Sequence, residues 1–439
     1  MKNFFGTDGI RGAYGSEIMN EDFAHKVGWA ISQFLIQGGL TCPNVAVGCD
    51  TRPSSPTLRK HLVEGLVSGG ATVKDCGILP TPALAFGVIK YGFHFGVMVT
   101  ASHNPHQDNG IKCFSGCGTK LSESEEEEIE HWIGHDSVHS STSQPEHISV
   151  LTDYLSHLES HFHGLNLSGM RIALDSANGA TCKTSQTMLE RFGATVFSIH
   201  QGEGMINDHC GSEYLESLSN LVRSKKADMG IAHDGDGDRV RFVDRDGQTI
   251  DGDQVLGLLA LHAHRTKSLR SSTFVSTVHS NSGLAETLKA NGIRLGRAKV
   301  GDRNVYQKML EGKSNWGGES SGHIICMDYL PTGDGLFAAL AVLDAIQKQA
   351  TDLRVLARKT TLWPLRSESF PVAEKIPVKN VPDLIQCLKA EEEFLHDQGR
   401  ILLRYSGTEP KIRLLVEGVS TGLINQSFNR IAEVIQKSL

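Results

Sequence analysis

The sequence predicts an α/β protein: three similar α/β-layer domains with mixed sheets, then a smaller C-terminal α+β domain. Three observations lead there. The chain has 439 residues, too many for one ordinary hydrophobic core. A weak internal repeat runs through its first three quarters, in which short apolar strands alternate with helical stretches and a closing strand ends in a glycine-rich polar loop. The last segment breaks that pattern. Strands alternating with helices imply layered, largely parallel pairing, with ligands at the loops beyond the carboxyl ends of the strands.

In the first unit the strands are Val45–Gly48, Thr72–Lys74 and Gly96–Val99, closing in Thr100-Ala-Ser-His-Asn-Pro. In the second they are Arg171–Leu174, Thr195–Ile199 and Met229–Ala232, closing in Asp234-Gly-Asp-Gly-Asp-Arg. In the third they are Thr273–Thr277, Ile293–Leu295 and a weaker one near Ser314, closing in Gly317-Gly-Glu-Ser-Ser-Gly-His. The final segment has strands Ile401–Tyr405 and Lys411–Glu417 around Ser406-Gly-Thr-Glu-Pro, then a helix from Leu423 to Ser438 with apolar positions at helical spacing. The expected domains are 1–152, 153–250, 251–364 and 365–439. Ser137 to Gln144 is Ser/Thr-rich and reads as a linker or exposed loop. Glu123–Glu130 reads as a solvated helix start, where negative charge suits the helix dipole.

Hydrophobic residues make up 39% of the chain and charged residues 21%, ordinary for a globular protein. No apolar run is long enough to span a bilayer, and the N-terminus lacks the apolar segment of a signal peptide. No membrane partner and a cytoplasmic location are the expectations. The nine cysteines are scattered, without a CxxC pair, and read as free thiols in a reducing compartment. A formal net charge of −7 argues against nucleic-acid binding.

The closing loops carry the chemistry. Ser102 follows a buried strand and precedes a small polar turn; such a serine is expected to be exposed beside backbone N–H groups that hold an anion, or else to cap its strand. Asp234, Asp236 and Asp238 alternate with glycines that let the backbone bend tightly. Carboxylates this close repel one another, so a hard cation such as Mg²⁺ is their natural partner. An EF-hand is rejected, because its sixth and twelfth positions would be Arg239 and Arg245. Glu319, Ser321 and His323 suit the hydroxyl or amino groups of a sugar. Arg404 and Arg413 flank Ser406, Gly407 and Thr408, a set suited to a phosphate monoester.

Together with Phe5-Gly-Thr-Asp-Gly-Ile-Arg-Gly, Asp108-Asn-Gly-Ile-Lys and Ala298-Lys-Val-Gly-Asp-Arg, these loops resemble, in order and nearly end to end, the α-D-phosphohexomutase family. The resemblance implies four domains around a central cleft and transfer of a phosphoryl group through a phosphoserine. Ser102 matches the phosphorylated serine, and Asp234, Asp236 and Asp238 match the ligands of one Mg²⁺, with a phosphate oxygen on Ser102 as a further ligand. Glu319 and Ser321 match sugar contacts; Arg404, Ser406, Gly407, Thr408 and Arg413 match the distal phosphate site. Arg11, Lys112, Arg239 and His323 match basic positions lining the cleft. Lys112 is a candidate for handling the sugar hydroxyl proton, with phosphate neutralisation as the competing role. Within the family the wording is closest to bacterial members that interconvert glucosamine 6-phosphate and glucosamine 1-phosphate on the route to UDP-N-acetylglucosamine. That implies glucosamine 1,6-bisphosphate as intermediate and activator, a small phosphosugar as partner, and a homodimer. A glucose or mannose phosphate substrate on the same scaffold, and a non-catalytic phosphosugar-binding protein, are the rival readings.

The chain departs from the family wording at His233, before the metal loop, at Gly317-Gly318 and Ser320 in the sugar loop, and at Val278-His-Ser-Asn. His131, His135 and His139, and His157, His161 and His163, invite a metal reading, but no acidic or Cys partner completes a site, so solvated or packed histidines are expected.

Overall fold

The computed structural model describes residues 4–135, 145–406 and 410–439. Four sheets follow one another along the chain. The first contains β1 (Ile10–Ala13), β2 (Asn44–Cys49), β3 (Thr72–Ile78), β4 (Phe95–Val99), β5 (Asp108–Ser115) and β6 (Glu146–His147), in the order β1-β5-β4-β2-β3-β6. The second contains β7 (Arg171–Asp175), β8 (Thr195–Ile199), β9 (Met229–His233) and β10 (Val240–Asp244), ordered β10-β9-β7-β8. The third contains β11 (Thr273–Thr277), β12 (Arg294–Ala298), β13 (Trp316–Gly318), β14 (Ile324–Cys326) and β15 (Leu330–Gly333), ordered β12-β11-β13-β14-β15. The last, of β16 (Leu365–Pro371), β17 (Gly399–Tyr405) and β18 (Lys411–Gly418), is antiparallel, with β18 in the middle.

The expected central strands are present and pair in parallel: β2 with β3 and β4, β7 with β8 and β9, β11 with β12 and β13. Every residue of β4 and β9 is buried, as strands covered on both faces require. Antiparallel strands then extend each sheet: β5 on β4, β10 on β9, and β14 on β13. These turn the chain back immediately after each chemical loop, so the loop is held between two strands rather than leading into a helix. The strand expected at Ile293–Leu295 is displaced to Arg294–Ala298.

Two helices of the first domain approach unusually closely. A Cβ on Gly65 would lie 2.0 Å from the His25 carbonyl oxygen, and one on Gly28 would lie 2.1 Å from that of Leu62. The helices Glu21–Gln37 and Ser55–Ser68 therefore pack nearly backbone to backbone over the sheet. The acidic segment is a helix, Glu123–Ile133, opened by a reciprocal Ser122–Glu125 capping box. Ser137–Gln144 and His139 lie outside the described residues.

By compactness the chain forms two units, 1–279 with 292–359 and 280–291 with 360–439. The helix Ser282–Ala290 belongs to the second, although strands of the third sheet flank it in sequence. Asn281 explains this: its amide donates to the Trp363 carbonyl at 3.0 Å and accepts from the Trp363 N–H at 2.8 Å, while Glu417 accepts from the Ser282 N–H at 2.9 Å. In the second unit the helix Thr421–Ser438 lays Ile424, Phe428, Ile431 and Ile435 on the buried Ile412, Leu414 and Val416 of β18. No helix among the described residues is long and apolar enough to cross a membrane.

Candidate active site

Ser102 is fully buried, not exposed as the sequence suggested, and its backbone takes the left-handed conformation at φ 54°. A non-glycine residue adopts that conformation only when its surroundings impose it. Here they do. The Ser102 N–H donates to Thr100 Oγ1 at 2.9 Å, and Thr100 in turn donates to Asp50 at 2.6 Å. The Ser102 carbonyl accepts from Arg52 at 2.8 Å and from the Asn207 amide at 2.7 Å. The same two side chains also hold the Asn104 carbonyl, at 2.9 and 3.0 Å.

Arg52 is the centre of this clamp. It is 1% exposed, pairs with Asp50 at 3.0 Å, and reaches the Pro105 and Asp108 carbonyls at 2.5 and 2.8 Å. A guanidinium suits the task because it presents five donors in a rigid plane. Burial raises the Asp50 carboxyl, against the pull of Arg52 and of hydrogen bonds from Thr100 and Ser55. Asp50, Arg52 and Asn207 carry no local sequence signal of this role. Asp50-Thr-Arg52 directly follows β2, where such an arginine is easily taken for surface charge.

The clamp aims Ser102 Oγ at the acidic loop, where it donates to Asp234 Oδ2 at 2.7 Å. Asp234, Asp236 and Asp238 are all buried, with ligand oxygens within 4.8 Å of one another. Asp236 Oδ1 and Asp238 Oδ1 have no hydrogen-bond partner among the described residues. Burial, then repulsion from Asp236 and Asp238, holds the Asp234 carboxyl well above the usual range. Orphaned carboxylate oxygens and mutual repulsion are what a hard cation relieves, so the donor set fits a metal site. A protein cation already serves part of that need: Lys112 Nζ, on β5, lies 2.8 Å from Asp236 and from Asp238 and 3.2 Å from Asp8. Burial alone would lower the Lys112 pKa, but these carboxylates raise it well above normal. Thr81 donates to Asp236 at 2.6 Å.

Arg239 and His323 join this loop to the third domain. The Arg239 N–H donates to Asp234 at 3.1 Å, and the Val240 N–H donates to the Gly322 carbonyl at 3.1 Å. The His323 imidazole lies between Asp238, at 3.7 Å, and Asp302, at 3.3 Å. Glu319 accepts the Gly301 N–H at 3.0 Å, tying the Gly317–His323 loop to the Ala298–Arg303 segment, and Ser321 is half-buried beside it. Arg11 pairs with Asp8 and donates to Asn104 at 3.0 Å; Asp8 also pairs with Lys120, and Lys120 with Asp302. Thus Ser102, the three aspartates, Lys112, Arg11, Arg239 and His323 belong to one connected polar network, with Asp8, Lys120 and Asp302 as further members.

His233, the departure before the metal loop, is fully buried and donates through Nδ1 to the Arg239 carbonyl at 3.2 Å. Burial pushes its pKa down to about 4, so it fills an aromatic-sized space as a neutral ring. His157 stacks on Tyr329 and His161 packs edge-on to Phe337, so these histidines are packing residues. His135, just beyond the end of the helix Glu123–Ile133, bonds to the His131 carbonyl at 2.9 Å.

In the second unit, Arg404 of β17 stands directly opposite Arg413 of β18. Like charges so placed destabilise a ladder unless an anion joins them. Burial, then the Arg413 charge, lowers the Arg404 pKa. Arg413 donates to Ser406 at 3.5 Å, and the Ser406 N–H donates to the Lys411 carbonyl at 2.8 Å. Gly407 and Thr408 lie outside the described residues.

Comparison with known proteins identifies the family. Four family descriptions match in chain order: phosphoglucomutase/phosphomannomutase α/β/α domain I over residues 2–139, domain II over 152–247, domain III over 251–361 and the C-terminal domain over 369–434. A phosphoglucosamine mutase of Pelotomaculum thermopropionicum is 39% identical over 443 residues, covering 99% of each chain. One of Staphylococcus aureus is 38% identical over 454 residues, covering 100% of this chain and 99% of its own. Among solved structures, a phosphoglucomutase/phosphomannomutase family protein of Burkholderia thailandensis shares the fold at TM-score 0.84 and 23% identity, over 99% of this chain and 97% of its own. An N-acetylphosphoglucosamine mutase of Aspergillus fumigatus, solved with GlcNAc-6P and magnesium, has TM-score 0.68 and 16% identity over 99% of this chain and 95% of its own. The chain belongs to the phosphoglucomutase/phosphomannomutase family, the α-D-phosphohexomutases.

Proposed function

We propose that this chain is a phosphoglucosamine mutase, interconverting glucosamine 6-phosphate and glucosamine 1-phosphate, and that Ser102 carries the phosphoryl group. The observation that supports it most is Ser102 Oγ held 2.7 Å from Asp234, at a buried acidic loop in a chain 38–39% identical end to end to bacterial phosphoglucosamine mutases. Asp234, Asp236 and Asp238 would hold Mg²⁺, which when bound offsets the negative charge on the reacting phosphoryl group.

The cycle starts with phosphorylated Ser102. The bond between phosphorus and Ser102 Oγ breaks as one forms to the free sugar hydroxyl. The sugar hydroxyl loses its proton in the transfer and the freed Ser102 Oγ gains one, giving glucosamine 1,6-bisphosphate and unmodified Ser102. After the bisphosphate turns over, the bond between its other phosphorus and the sugar oxygen breaks as one forms to Ser102 Oγ, and the proton lost from Ser102 is balanced by the one the freed sugar oxygen takes up as a hydroxyl. Phosphoryl transfer of this kind rests on alignment and charge stabilisation. Arg52 and Asn207 supply the alignment by holding the Ser102 backbone. Lys112, already engaged by three carboxylates, is read as the charge-neutralising group rather than the base. Arg11 and His323 flank the reacting groups. Glu319 and Ser321 would contact the sugar, and Arg404, Ser406, Gly407, Thr408 and Arg413 the distal phosphate.

Turnover of glucosamine 6-phosphate, glucose 6-phosphate and mannose 6-phosphate tests the substrate. Preference for the amino sugar is expected; preference for either neutral sugar would move the chain to the phosphoglucomutase or phosphomannomutase reading. On family resemblance we also read it as a cytoplasmic homodimer built from domains 1–152, 153–250, 251–364 and 365–439. Sedimentation at a monomer mass would refute the dimer.

A further inference from the structure

We infer that the second domain carries a separate binding site for a soft divalent cation of the Zn²⁺ class, formed by Asp175, His200 and Cys210. Asp175 ends β7, His200 follows β8, and Cys210 precedes the turn Gly211–Glu213. One donor atom from each lies within 4.8 Å of the other two. Asp175 and Cys210 are buried, while His200 keeps 28% of its side chain exposed and so opens a path to solvent. None of the three belongs to the network around Ser102.

The donor set is one of carboxylate oxygen, imidazole nitrogen and thiolate sulfur. That mixture selects Zn²⁺ or Co²⁺ over Mg²⁺, which prefers oxygen alone. His200 Nδ1 lies 2.9 Å from Asp175 Oδ2, so the imidazole and the carboxylate already face each other. The other Asp175 oxygen is oriented by the Ala177 N–H at 2.8 Å, and Oδ2 also accepts the Gly211 N–H at 3.0 Å. These backbone donors orient the carboxylate as supporting hydrogen bonds do in metal sites.

The site has a structural consequence. His200 and Cys210 are the two ends of the loop that carries Asn207, and Asn207 holds the Ser102 and Asn104 carbonyls. A cation joining the loop's ends braces one arm of the Ser102 clamp from behind.

The test uses the full chain, stripped with chelator, kept in excess Mg²⁺ to fill the Asp234 loop, and titrated with Co²⁺. One equivalent is expected to give a near-ultraviolet thiolate-to-cobalt charge-transfer band that Zn²⁺ abolishes. The band should persist in Asp234→Asn and vanish in Cys210→Ser. His200→Gln, at a partly exposed position, should weaken Co²⁺ binding at least tenfold. Absence of the band, its survival in Cys210→Ser, or unchanged affinity in His200→Gln would overturn the assignment.

Discussion

Replacing Arg52 by Lys tests whether the Ser102 loop is shaped by its clamp. Arg52 makes five contacts, to Asp50, Ser102, Asn104, Pro105 and Asp108. An ammonium has three donors, so at least two of these contacts are lost while the charge stays. A buried carbonyl left without a donor costs about 1–3 kcal/mol. Asn207 still serves the Ser102 and Asn104 carbonyls, and the Asp108 N–H still serves Pro105 at 3.1 Å. The low end therefore applies, about 2 kcal/mol in all. If that cost is met by releasing the loop, the aligned population falls about thirty-fold. The expected result of steady-state kinetics on Arg52→Lys is a kcat reduced by about that factor with KM little changed. A kcat within about twofold of wild type would show that Ser102 is held by something else.

Three further outcomes follow from the same structure. Lys112→Met leaves Asp8, Asp236 and Asp238 without their shared cation, which should cost metal-free protein about 3–5 kcal/mol; calorimetry should show Mg²⁺ raising the variant's melting temperature more than the wild type's, and equal increments would refute this. Burial lifts Asp334 to about 6, above its unfolded value of about 3.9, so the native state keeps a proton the unfolded state has released and stability falls by about 2–3 kcal/mol as pH rises from about 4 to about 6. Asp334→Asn removes that loss, and melting temperatures of the two proteins should diverge in the variant's favour across that window rather than run parallel. Gly65→Ala drives a Cβ into the His25 carbonyl and should destabilise the protein by about 3 kcal/mol; an unchanged melting temperature would mean the helices separate freely.

The central strands and the loops after them were legible because both carry local signals. Apolar runs such as Phe95–Val99 and Met229–His233 bury both faces, and Asp-Gly alternation has few other uses. The antiparallel strands β1, β5 and β10 were not legible. Arg11, Lys112 and Arg241 make them read as polar connections, yet the first two side chains turn into the polar network rather than to solvent. Burial of Ser102 was hidden for a related reason: a Thr-Ala-Ser-His-Asn-Pro turn looks exposed until Arg52 and Asn207 arrive from 50 and 105 residues away. The compensation of the acidic loop by Lys112 is equally non-local, over 124 residues. Asn281, which draws the helix Ser282–Ala290 toward the C-terminal unit, acts through a tryptophan 82 positions on.

The measurement that bears most directly on the account is the fate of phosphate on Ser102. Protein incubated with Mg²⁺ and glucosamine 1,6-bisphosphate labelled in its phosphates, quenched and mapped by peptide mass, should carry label on Ser102 alone. Unlabelled glucosamine 6-phosphate should then remove it at a rate no slower than kcat. Label on another residue, or label on Ser102 that leaves more slowly than turnover, would contradict the account.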